Sequence, residues 1–451
     1  MSERVYVIGG GLAGSEAAWQ IAEAGHEVDL FEMRPMMSTG AHETEYLAEL
    51  VCSNSFGSQL PDRASGILMQ ELGQMGSLLL SCAREARVPA GSALAVDRVG
   101  FAQRVTQALE SHPRIAIRRM EVKAIPDGPA VLATGPLTSA AMSATLAELT
   151  GEAHLYFFDA LAPIVERESI DMQVAFRGSR YGRGELEQGD YINCPFTKQE
   201  YDSFVEALLL AEKIPLRSFE EAIEEGVRAG AQQFFEGCLP IEVIAQRGEQ
   251  ALAYGPMRPV GLTDPRTERR PYAALQLRQD DLAGDLYNLV GFQTNLTFPE
   301  QRRVLRMIPG LEKAVFIRYG MMHRNTFINA PRVLHPSLQV KSHPRLFMAG
   351  QITGVEGYLG NVATGVLAGI NLARSMDAKE PLVLPQETML GALLHYVAHA
   401  EAKQFQPMKA NLGLMPALTD GKRRNRRERA AVHAERAKAA LKVFLAAHKC
   451  A

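Results

Sequence analysis

The sequence lacks the features that mark several classes of protein. It contains no apolar run of about eighteen residues, so no membrane-spanning segment is expected. Its first residues run into an apolar strand without the basic start, hydrophobic stretch and small-residue cleavage site of a signal peptide. With 47% hydrophobic and 22% charged residues, its composition is that of a globular protein rather than a disordered one. We therefore expect a cytoplasmic protein with no membrane association.

Cysteine is scarce, and its spacing argues against two kinds of stabilising site. The five cysteines are odd in number, lie far apart and form no Cys-x-x-Cys pair. Neither a disulfide framework nor a zinc site is indicated, and we expect no bound metal. In a reducing compartment all of them are free thiols, of which one or two could take part in chemistry. They are Cys52, Cys82, Cys194, Cys238 and Cys450.

Net charge is also small, but the basic residues are unevenly distributed. The formal charge of −3 argues against an overall attraction to nucleic acid. Between Lys422 and Lys442, however, nine lysines or arginines stand against Glu428 and Glu435, which gives a local charge of +7. A solvated amphipathic helix and an RNA contact explain this segment equally well.

A glycine motif near the start predicts a dinucleotide-binding site. Arg4–Ile8 has the composition of a strand, residues 14–24 that of a helix, and Glu32 ends the next strand, which together make a βαβ unit. In a G-x-G-x-x-G motif the glycines allow a tight turn, close approach to a pyrophosphate and close helix packing, and the helix N-terminus stabilises phosphate charge. Glu32 would accept hydrogen bonds from the adenosine ribose. The motif residues are Gly9, Gly10, Gly11, Leu12, Ala13 and Gly14.

Two later segments favour FAD over NAD as the dinucleotide. Thr134 and Gly135 end a short buried strand, where flavoproteins bring a second strand end against the cofactor. Gly350, Gly360 and Asn361 belong to a glycine-rich turn and helix start that could hold the flavin portion. No second G-x-G-x-x-G motif is present, so a dedicated nicotinamide domain is not expected, and NAD(P)H would visit the flavin transiently.

The length and texture of the chain predict an FAD-binding domain interrupted by an inserted one. At 451 residues the chain is too long for a single average core. From residue 166 to residue 324 the pattern changes to short mixed elements rich in glycine, proline and charge. We expect an FAD-binding domain over 1–165 and 325–451, including the basic C-terminal helix, and an inserted domain over 166–324. The other predicted helices and buried strands are Ile67–Glu85, Asp97–Leu109, Asn361–Arg374, 130–135 and 345–350.

Two thiols and one histidine are candidates for chemistry. Cys238 precedes Leu239-Pro240, which places it in a loop, and Cys52 lies in a polar segment soon after the βαβ unit. A buried structural role is open for both, because free cysteine is usually a small hydrophobe. Cys82 has the surroundings of a helix core. His323 could stack on a planar ligand or be a structural histidine.

Four segments, together with the glycine motif, resemble those of the folate- and FAD-dependent tRNA (uracil-5-)-methyltransferases. The family is related to the tRNA wobble-uridine modification flavoproteins. The resemblance covers nearly the whole chain, and the cysteine segments are its specific part. It implies an α/β fold in which a Rossmann-like FAD-binding domain of the glutathione-reductase type is interrupted by an inserted α+β domain. The four segments are Leu50–Phe56, Phe235–Glu242, Tyr319–Asn325 and Gly354–Gly365.

The resemblance also implies a reaction and a role for each candidate residue. FAD, 5,10-methylenetetrahydrofolate and NADPH or NADH would together convert a T-loop uridine of tRNA to 5-methyluridine. Cys238 matches the thiol that adds to C6 of the uracil, and Cys52 matches the second thiol, which assists C5 proton removal or guards the intermediate. His323 matches the residue that packs the folate pterin against the flavin, and Tyr358 matches an aromatic neighbour of the flavin.

Other functions stay open on the sequence alone. A flavin oxidoreductase acting on a small molecule would keep the glycine motif and need no basic surface. A non-catalytic RNA-binding flavoprotein would keep FAD as a structural element. Within the family, ribosomal RNA could replace tRNA as the substrate. The preference between NADH and NADPH, the RNA-binding surface and a possible homodimer are likewise left open.

Overall fold

A computed structural model describes most of the chain. The described residues are 3–37, 39, 41–151, 155–214, 239–320, 322–419 and 424–448, without the side chains of 155–160 and 322–324.

The strands of the described residues fall into two six-stranded sheets and three smaller ones. In chain order they are β1 (Val5–Ile8), β2 (Val28–Glu32), β3 (Ser55–Ser58), β4 (Arg87–Val88), β5 (Ala93–Val96), β6 (Ile115–Arg119), β7 (Ala130–Leu132), β8 (Leu155–Ala160), β9 (Ile164–Glu166), β10 (Phe176–Gly178), β11 (Tyr191–Phe196), β12 (Ala273–Gln279), β13 (Leu286–Leu289), β14 (Phe316–Arg318), β15 (Met322–Phe327), β16 (Gln339–Val340), β17 (His343–Met348), β18 (Val355–Glu356) and β19 (Met408–Lys409).

The α-helices of the described residues range from one turn to six. In chain order they are α1 (Leu12–Glu23), α2 (Ala64–Gln74), α3 (Leu78–Glu85), α4 (Arg98–Ser111), α5 (Ala140–Thr150), α6 (Lys198–Leu210), α7 (Ile241–Ala245), α8 (Ala251–Tyr254), α9 (Phe298–Leu305), α10 (Ala330–Val333), α11 (Tyr358–Met376), α12 (Met389–His399) and α13 (Arg426–His448). No helix within these ranges has the length and apolar character that crossing a membrane requires.

The first six-stranded sheet has the order β16-β17-β7-β1-β2-β6, and all its neighbours except β16 and β17 run parallel. Helices α1 and α11 pack together beside it. Glycines allow this close approach, because a Cβ at Gly365 would lie 2.3 Å from the carbonyl oxygen of Ala13. A Cβ at Gly369 would lie 2.7 Å from that of Ala17. The small-residue composition of α11 is therefore a packing requirement.

The second six-stranded sheet has the order β10-β11-β12-β13-β9-β14 and is antiparallel throughout. Its buried residues form a separate hydrophobic core between Val165 and Ala314. The core of the first sheet instead draws on residues from Val5 to Leu146 and from Phe327 to Leu441. The described residues thus form two large cores, and the domain boundaries expected from the sequence stay a prediction.

The chain passes between the two sheets along a two-stranded ribbon. Strands β8 and β15 pair antiparallel, with Leu155 opposite Phe327 and Ala160 opposite Met322. Both crossings between the two cores therefore lie side by side.

Most of the predicted elements that position the cofactor are observed. The β1-α1-β2 unit, the helix after Asp97 and the strands at 130–135 and 345–350 are confirmed with small shifts of their ends. The single helix predicted over Ile67–Glu85 is wrong, because the chain turns between α2 and α3 at Gly76, whose φ is +74°. The helix predicted from Asn361 begins three residues earlier, at Tyr358.

Glu71 of α2 caps the start of α12 from within the core. Its carboxylate oxygens accept hydrogen bonds from the backbone N–H groups of Met389, at 2.6 Å, and Leu390, at 2.9 Å. Burial outweighs these hydrogen bonds and raises the pKa of Glu71 from 4.5 to about 7.

We expect the replacement Glu71→Gln to remove part of the pH dependence of stability. The folded chain holds a proton that the unfolded chain releases between pH 4.5 and about 7, so this group lowers stability as pH rises through that interval. The loss should be roughly 3 kcal/mol. Melting temperatures of both chains at about pH 5 and about pH 8 test this, and the variant should gain relative stability at the higher pH. A difference in melting temperature between the two chains that is the same at both pH values would contradict this prediction.

Candidate cofactor and thiol site

A cleft opens at the carboxyl ends of the parallel strands of the first sheet and contains about 1030 Å³ of empty space. This is where open α/β sheets bind their ligands. Ten of the predicted cofactor residues line it: Gly9, Gly11, Leu12, Ala13, Glu32, Thr134, Gly135, Gly350, Tyr358 and Asn361.

In the turn between β1 and α1, the glycines differ in what an added Cβ atom would contact. Gly9 has a φ of +106°, and a Cβ there would lie 2.3 Å from the carbonyl oxygen of Ala133. A Cβ at Gly14 would lie 1.8 Å from the carbonyl oxygen of Gly9. A Cβ at Gly11, in contrast, would meet no protein atom within 4 Å. Gly9 and Gly14 therefore serve the fold, whereas Gly11 faces the open cleft.

Glu32 belongs to a polar network that the sequence did not reveal. Its Oε2 accepts a hydrogen bond from the N–H of Gly10 at 3.0 Å, and its Oε1 accepts from Nε of Arg34 at 2.9 Å. Arg34 also donates to Glu49 at 3.0 Å. Burial alone would raise the pKa of Glu32, but the hydrogen bonds and charge of Arg34 outweigh it and hold the pKa below its usual value. Glu32 is therefore an anionic acceptor at the cleft.

Another part of the cleft wall is formed by the turn after β17 and the start of α11. The helix begins after Gly357, whose φ is +83°, and no side chain caps its first turn. Oδ1 of Asn361 is buried and has no hydrogen-bond partner among the described residues. An unmet acceptor beside free helix N–H groups is a place for a polar ligand.

Three predicted cofactor residues do not line the cleft. Gly10 acts through its N–H bond to Glu32, and Gly14 through the packing of α1 on the turn. A Cβ at Gly360 would lie 2.7 Å from Cγ1 of Val355, so this glycine permits packing of α11 against β18. The lining residues that the sequence analysis missed include Met33, Arg34, His42, Glu49, Ser139 and Gln351. The Arg34-Pro35 pair, which begins two residues after Glu32, is a local signal that could have indicated them.

The residues present fit FAD. The α1 N-terminus and Gly11 would hold the pyrophosphate, since backbone N–H groups and the helix dipole favour its charge. Glu32 would accept from ribose hydroxyls. The start of α11 and the unmet Oδ1 of Asn361 supply further polar groups in the cleft wall, which the ribityl and flavin portion of FAD would contact.

Tyr358, which lines the cleft, holds Cys52 at its edge. The phenol oxygen of Tyr358 accepts hydrogen bonds from the N–H groups of Cys52, at 2.8 Å, and Ser53, at 3.0 Å. Sγ of Cys52 lies 2.9 Å from the same oxygen. Two amides use both lone pairs of the phenol, so its own O–H must donate to the sulfur. This hydrogen bond stabilises negative charge on Sγ, and burial raises the pKa of Tyr358 well above its usual value, which keeps the phenol a donor.

Buried arginines make the surroundings of Cys52 positive. Arg98, at the start of α4, pairs with Asp280 of the second core at 3.0 Å and donates to the carbonyls of Leu50 and Val51. Arg278 donates to Asn54 at 2.7 Å. Arg98 thus fixes the backbone before Cys52.

Arg318 adds a further cation to this region. Its Nε and Nη2 are buried without a hydrogen-bond partner among the described residues. Burial lowers its pKa, and the neighbouring charge of Arg98 lowers it further. The counter-ion of Arg318 is Glu43, which lies 3.7 Å away and is largely exposed to solvent. The region around Arg318 therefore favours a ligand that carries or develops negative charge.

Replacing Tyr358 by Phe should slow the enzyme without removing its cofactor. The change leaves two N–H groups without an acceptor, at a cost of about 1–3 kcal/mol each, so the Cys52 segment should shift. We expect kcat to fall about tenfold to a hundredfold, since a misplaced reacting group loses that much. Turnover at saturating substrates and FAD absorbance measure the two effects. Tyr396→Phe, which removes a phenol bonded only to the carbonyl of Gln406, is the matched control; equal effects of both changes would contradict the role of Tyr358.

The remaining candidate residues are not brought into the site by the described structure. Cys238 lies outside the described residues. The backbone of His323 lies in β15 opposite Asp159, and its side chain is outside the described part of the chain. Cys82 is buried in α3, and burial raises its pKa to about 11, as expected of a core thiol. Cys194 is buried in β11, and burial raises its pKa strongly.

Comparison with known proteins identifies relatives along the whole chain. Residues 4–380 match the family Glucose inhibited division protein A. A methylenetetrahydrofolate–tRNA-(uracil-5-)-methyltransferase TrmFO from Moorella thermoacetica is 55% identical over 438 residues, which are 97% of both chains. A protein of the same name from Exiguobacterium sibiricum is 52% identical over 98% of this chain and 99% of its own.

Solved structures show the same fold at low sequence identity. The form I crystal structure of Aquifex aeolicus GidA has a TM-score of 0.66 at 18% identity, over 98% of this chain and 78% of that one. The match over residues 4–380 and the identity to curated relatives confirm the resemblance found in the sequence. The chain belongs to the glucose inhibited division protein A family and, within it, to the folate- and FAD-dependent tRNA (uracil-5-)-methyltransferases.

Proposed function

We propose that this chain forms 5-methyluridine in the T-loop of tRNA, with 5,10-methylenetetrahydrofolate as the carbon donor and NADPH or NADH as the reductant. The observation that carries the proposal is the position of Cys52, which Tyr358 holds by three contacts at the edge of a cleft that fits FAD. An oxidoreductase for small molecules has no need of such a thiol. The names of the relatives agree with this reaction. We place the enzyme in the cytoplasm, where tRNA and reduced folate meet.

The chemistry of uracil requires a nucleophile from the protein. C5 is a poor carbon nucleophile until a group adds to C6 and pushes electrons into an enolate. A thiolate suits this addition, and we assign it to Cys238. Cys52 is then the second thiol, whose sulfur accepts the C5 proton when the C6 adduct collapses. The O–H of Tyr358 and the charge of Arg98 hold that sulfur ready to accept a proton.

FAD, when bound and reduced, would supply reducing equivalents and carry the one-carbon unit between folate and C5. The protein's part is to place the two ligands and to exclude water. We assign to His323 the packing of the folate pterin, and to Tyr358 the aromatic wall beside the flavin. Arg318 has the largely exposed Glu43 as its counter-ion, and Arg98 is paired with Asp280. We infer that the positive charge of Arg318 would stabilise an enolate oxygen of the uracil.

The test is a labelled-carbon assay. Purified protein is mixed with methylenetetrahydrofolate carrying a labelled methylene group, NADPH, and unmodified tRNA or ribosomal RNA in parallel. Label in 5-methyluridine of tRNA is the expected result. Label only in ribosomal RNA would show that ribosomal RNA, and not tRNA, is the substrate. No label in either RNA, with rapid NADPH oxidation, would favour a small-molecule oxidoreductase.

A further inference from the structure

A second cavity lies outside the FAD cleft, between the start of α2 and the start of α13, with about 1050 Å³ of empty space. Among the described residues, no carboxylate lines it. Its lining residues are Arg63, Ala64, Ala410, Asn411, Leu412, Gly413, Arg426, Arg429, Ala430 and His433.

The guanidinium groups at this cavity are nearly unused by the protein. Arg426 and Arg429 have no side-chain hydrogen bond or ion pair with any described residue. Arg63 approaches Asp62 at 3.8 Å, which is too long for a hydrogen bond. An arginine without a carboxylate partner keeps its donors available for an anion.

His433 adds a buried donor to the cavity wall. The residue is 9% exposed, and its Nδ1 lies 3.1 Å from Nη2 of Arg436. A guanidinium can only donate, so Nδ1 is the acceptor and the proton of the neutral ring lies on Nε2. Nε2 has no partner among the described residues, and the ring lines the cavity. The site therefore presents an N–H donor that no described residue uses.

Both helix starts also direct positive partial charge toward this cavity. Arg63 precedes α2 and makes no side-chain cap to it, so N–H groups of the first turn are free. At α13, Asn425 and Glu428 cap each other's N–H groups, which uses two of the donors. The positive electrostatic potential in the cavity therefore comes mainly from the arginine charges and the N-terminus of α2.

The cavity is connected to the Cys52 site by short stretches of chain. Asn411 follows β19 by two residues, and β19 pairs with β18 directly before Gly357 and Tyr358. The side chain of Lys409 lies 3.3 Å from the Cβ position of Gly357. The path from its lining residue Asn411 to the backbone of Glu356 covers two residues and one strand spacing, which is at most about 12 Å. The basic cavity is therefore near the segment that leads into Tyr358, whose phenol contacts Cys52.

We propose that this cavity binds a backbone phosphate of the tRNA whose uridine is presented at Cys52. The proposal rests on the proposed function for the identity of the RNA. A phosphodiester matches what the cavity offers, because it is an anion with several acceptor oxygens and arginine binds it through paired N–H groups. The base must leave its loop stack to react, and phosphate contacts outside the reacting centre hold the RNA while it does so.

The test compares tRNA binding by the triple variant R63A/R426A/R429A with that of a matched control. The control, R4A/R114A/R345A, removes three exposed arginines at the amino ends of the parallel strands, opposite the cleft. Filter binding of unmodified tRNA between about 50 and 200 mM salt gives Kd and its salt slope. We expect the triple variant to raise Kd about tenfold or more and to lower the slope by about 1, with the control near wild type. FAD absorbance and melting temperature verify that both variants are folded.

Several results would overturn the proposal. One is a Kd and salt slope of the triple variant equal to those of the control. Another is a raised KM for NADPH with unchanged tRNA binding, which would assign the cavity to a dinucleotide phosphate. Because filter binding needs no turnover, a wild-type chain that binds tRNA but forms no 5-methyluridine would reject the proposed function alone. His433→Gln, which keeps an N–H donor near the wall, should retain more affinity than His433→Ala; equal losses would also count against the phosphate contact.

Discussion

A Cys52→Ala variant is expected to bind FAD normally and to form 5-methyluridine at least about a hundredfold more slowly than the unchanged chain, since a positioned proton acceptor contributes about 10²–10⁴. Alanine keeps the N–H of residue 52, so the two amide hydrogen bonds to Tyr358 remain and the segment stays in place. Only the sulfur and its acceptor site are lost. Initial rates of labelled 5-methyluridine formation, beside the absorbance of bound FAD, measure this.

Cys194→Ala is the matched control for the loss of a thiol. Cys194 is fully buried in the second core and is not among the residues that line the cleft, so its replacement should leave the rate unchanged. If Cys52→Ala retains the wild-type rate, the second-thiol role belongs to another residue. If both variants lose activity and FAD equally, the effect comes from folding rather than from chemistry.

A Gly11→Ala variant should fold and yet lose FAD. The backbone at Gly11, with a φ of −75°, suits alanine, and the added Cβ meets no protein atom within 4 Å. In the holoprotein that space belongs to the pyrophosphate, and overpacking it costs about 1–3 kcal/mol. FAD affinity should therefore fall about tenfold to a hundredfold, while the melting temperature of the cofactor-free protein stays the same. Flavin titration and thermal melts of the stripped protein separate the two quantities.

Two other glycines serve as contrasts to Gly11. Gly73→Ala in α2, where the nearest heavy atom to the new Cβ is 3.8 Å away, should leave both FAD affinity and stability unchanged. Gly14→Ala should lower stability directly, because its Cβ would lie 1.8 Å from a backbone oxygen. Destabilisation of the stripped protein by Gly11→Ala would show that this glycine, too, serves the fold.

The predictable parts of the site are those that depend on residues close together in the sequence. The strand, glycine turn and helix from β1 to α1 depend on local patterns, and so do the roles of Gly9 and Gly14. Contacts between distant residues have no such pattern. Tyr358 and Cys52 are 306 positions apart, and nothing near either residue indicates that a phenol will hold the thiol.

The buried charges show the same limit. Arg98 and Asp280 are separated by 182 positions; Arg98 begins α4, and Asp280 follows β12 of the second sheet, so their ion pair cannot be read from either local sequence. The break at Gly76 was missed for another reason: the apolar residues on either side continue a helical pattern, and only the positive φ of one glycine ends it. The basic segment was visible as charge, but the cavity it helps to form needs α2 and the loop after β19.

The second core lies in the chain between the two strands of the ribbon, β8 and β15. This position determines the order in which the two cores can be completed during synthesis. All strands of the second sheet lie between Ile164 and Arg318, so a chain emerging from the ribosome has them before it has β17. The first sheet needs β17 beside β7, and the cleft needs Asn361 as well as Gly11 in its wall. The N-terminal glycine turn, although made first, must wait for the rest of its own sheet while the later-made core folds. FAD can therefore act as a late check on assembly, since it is bound only when both ends of the first core have met.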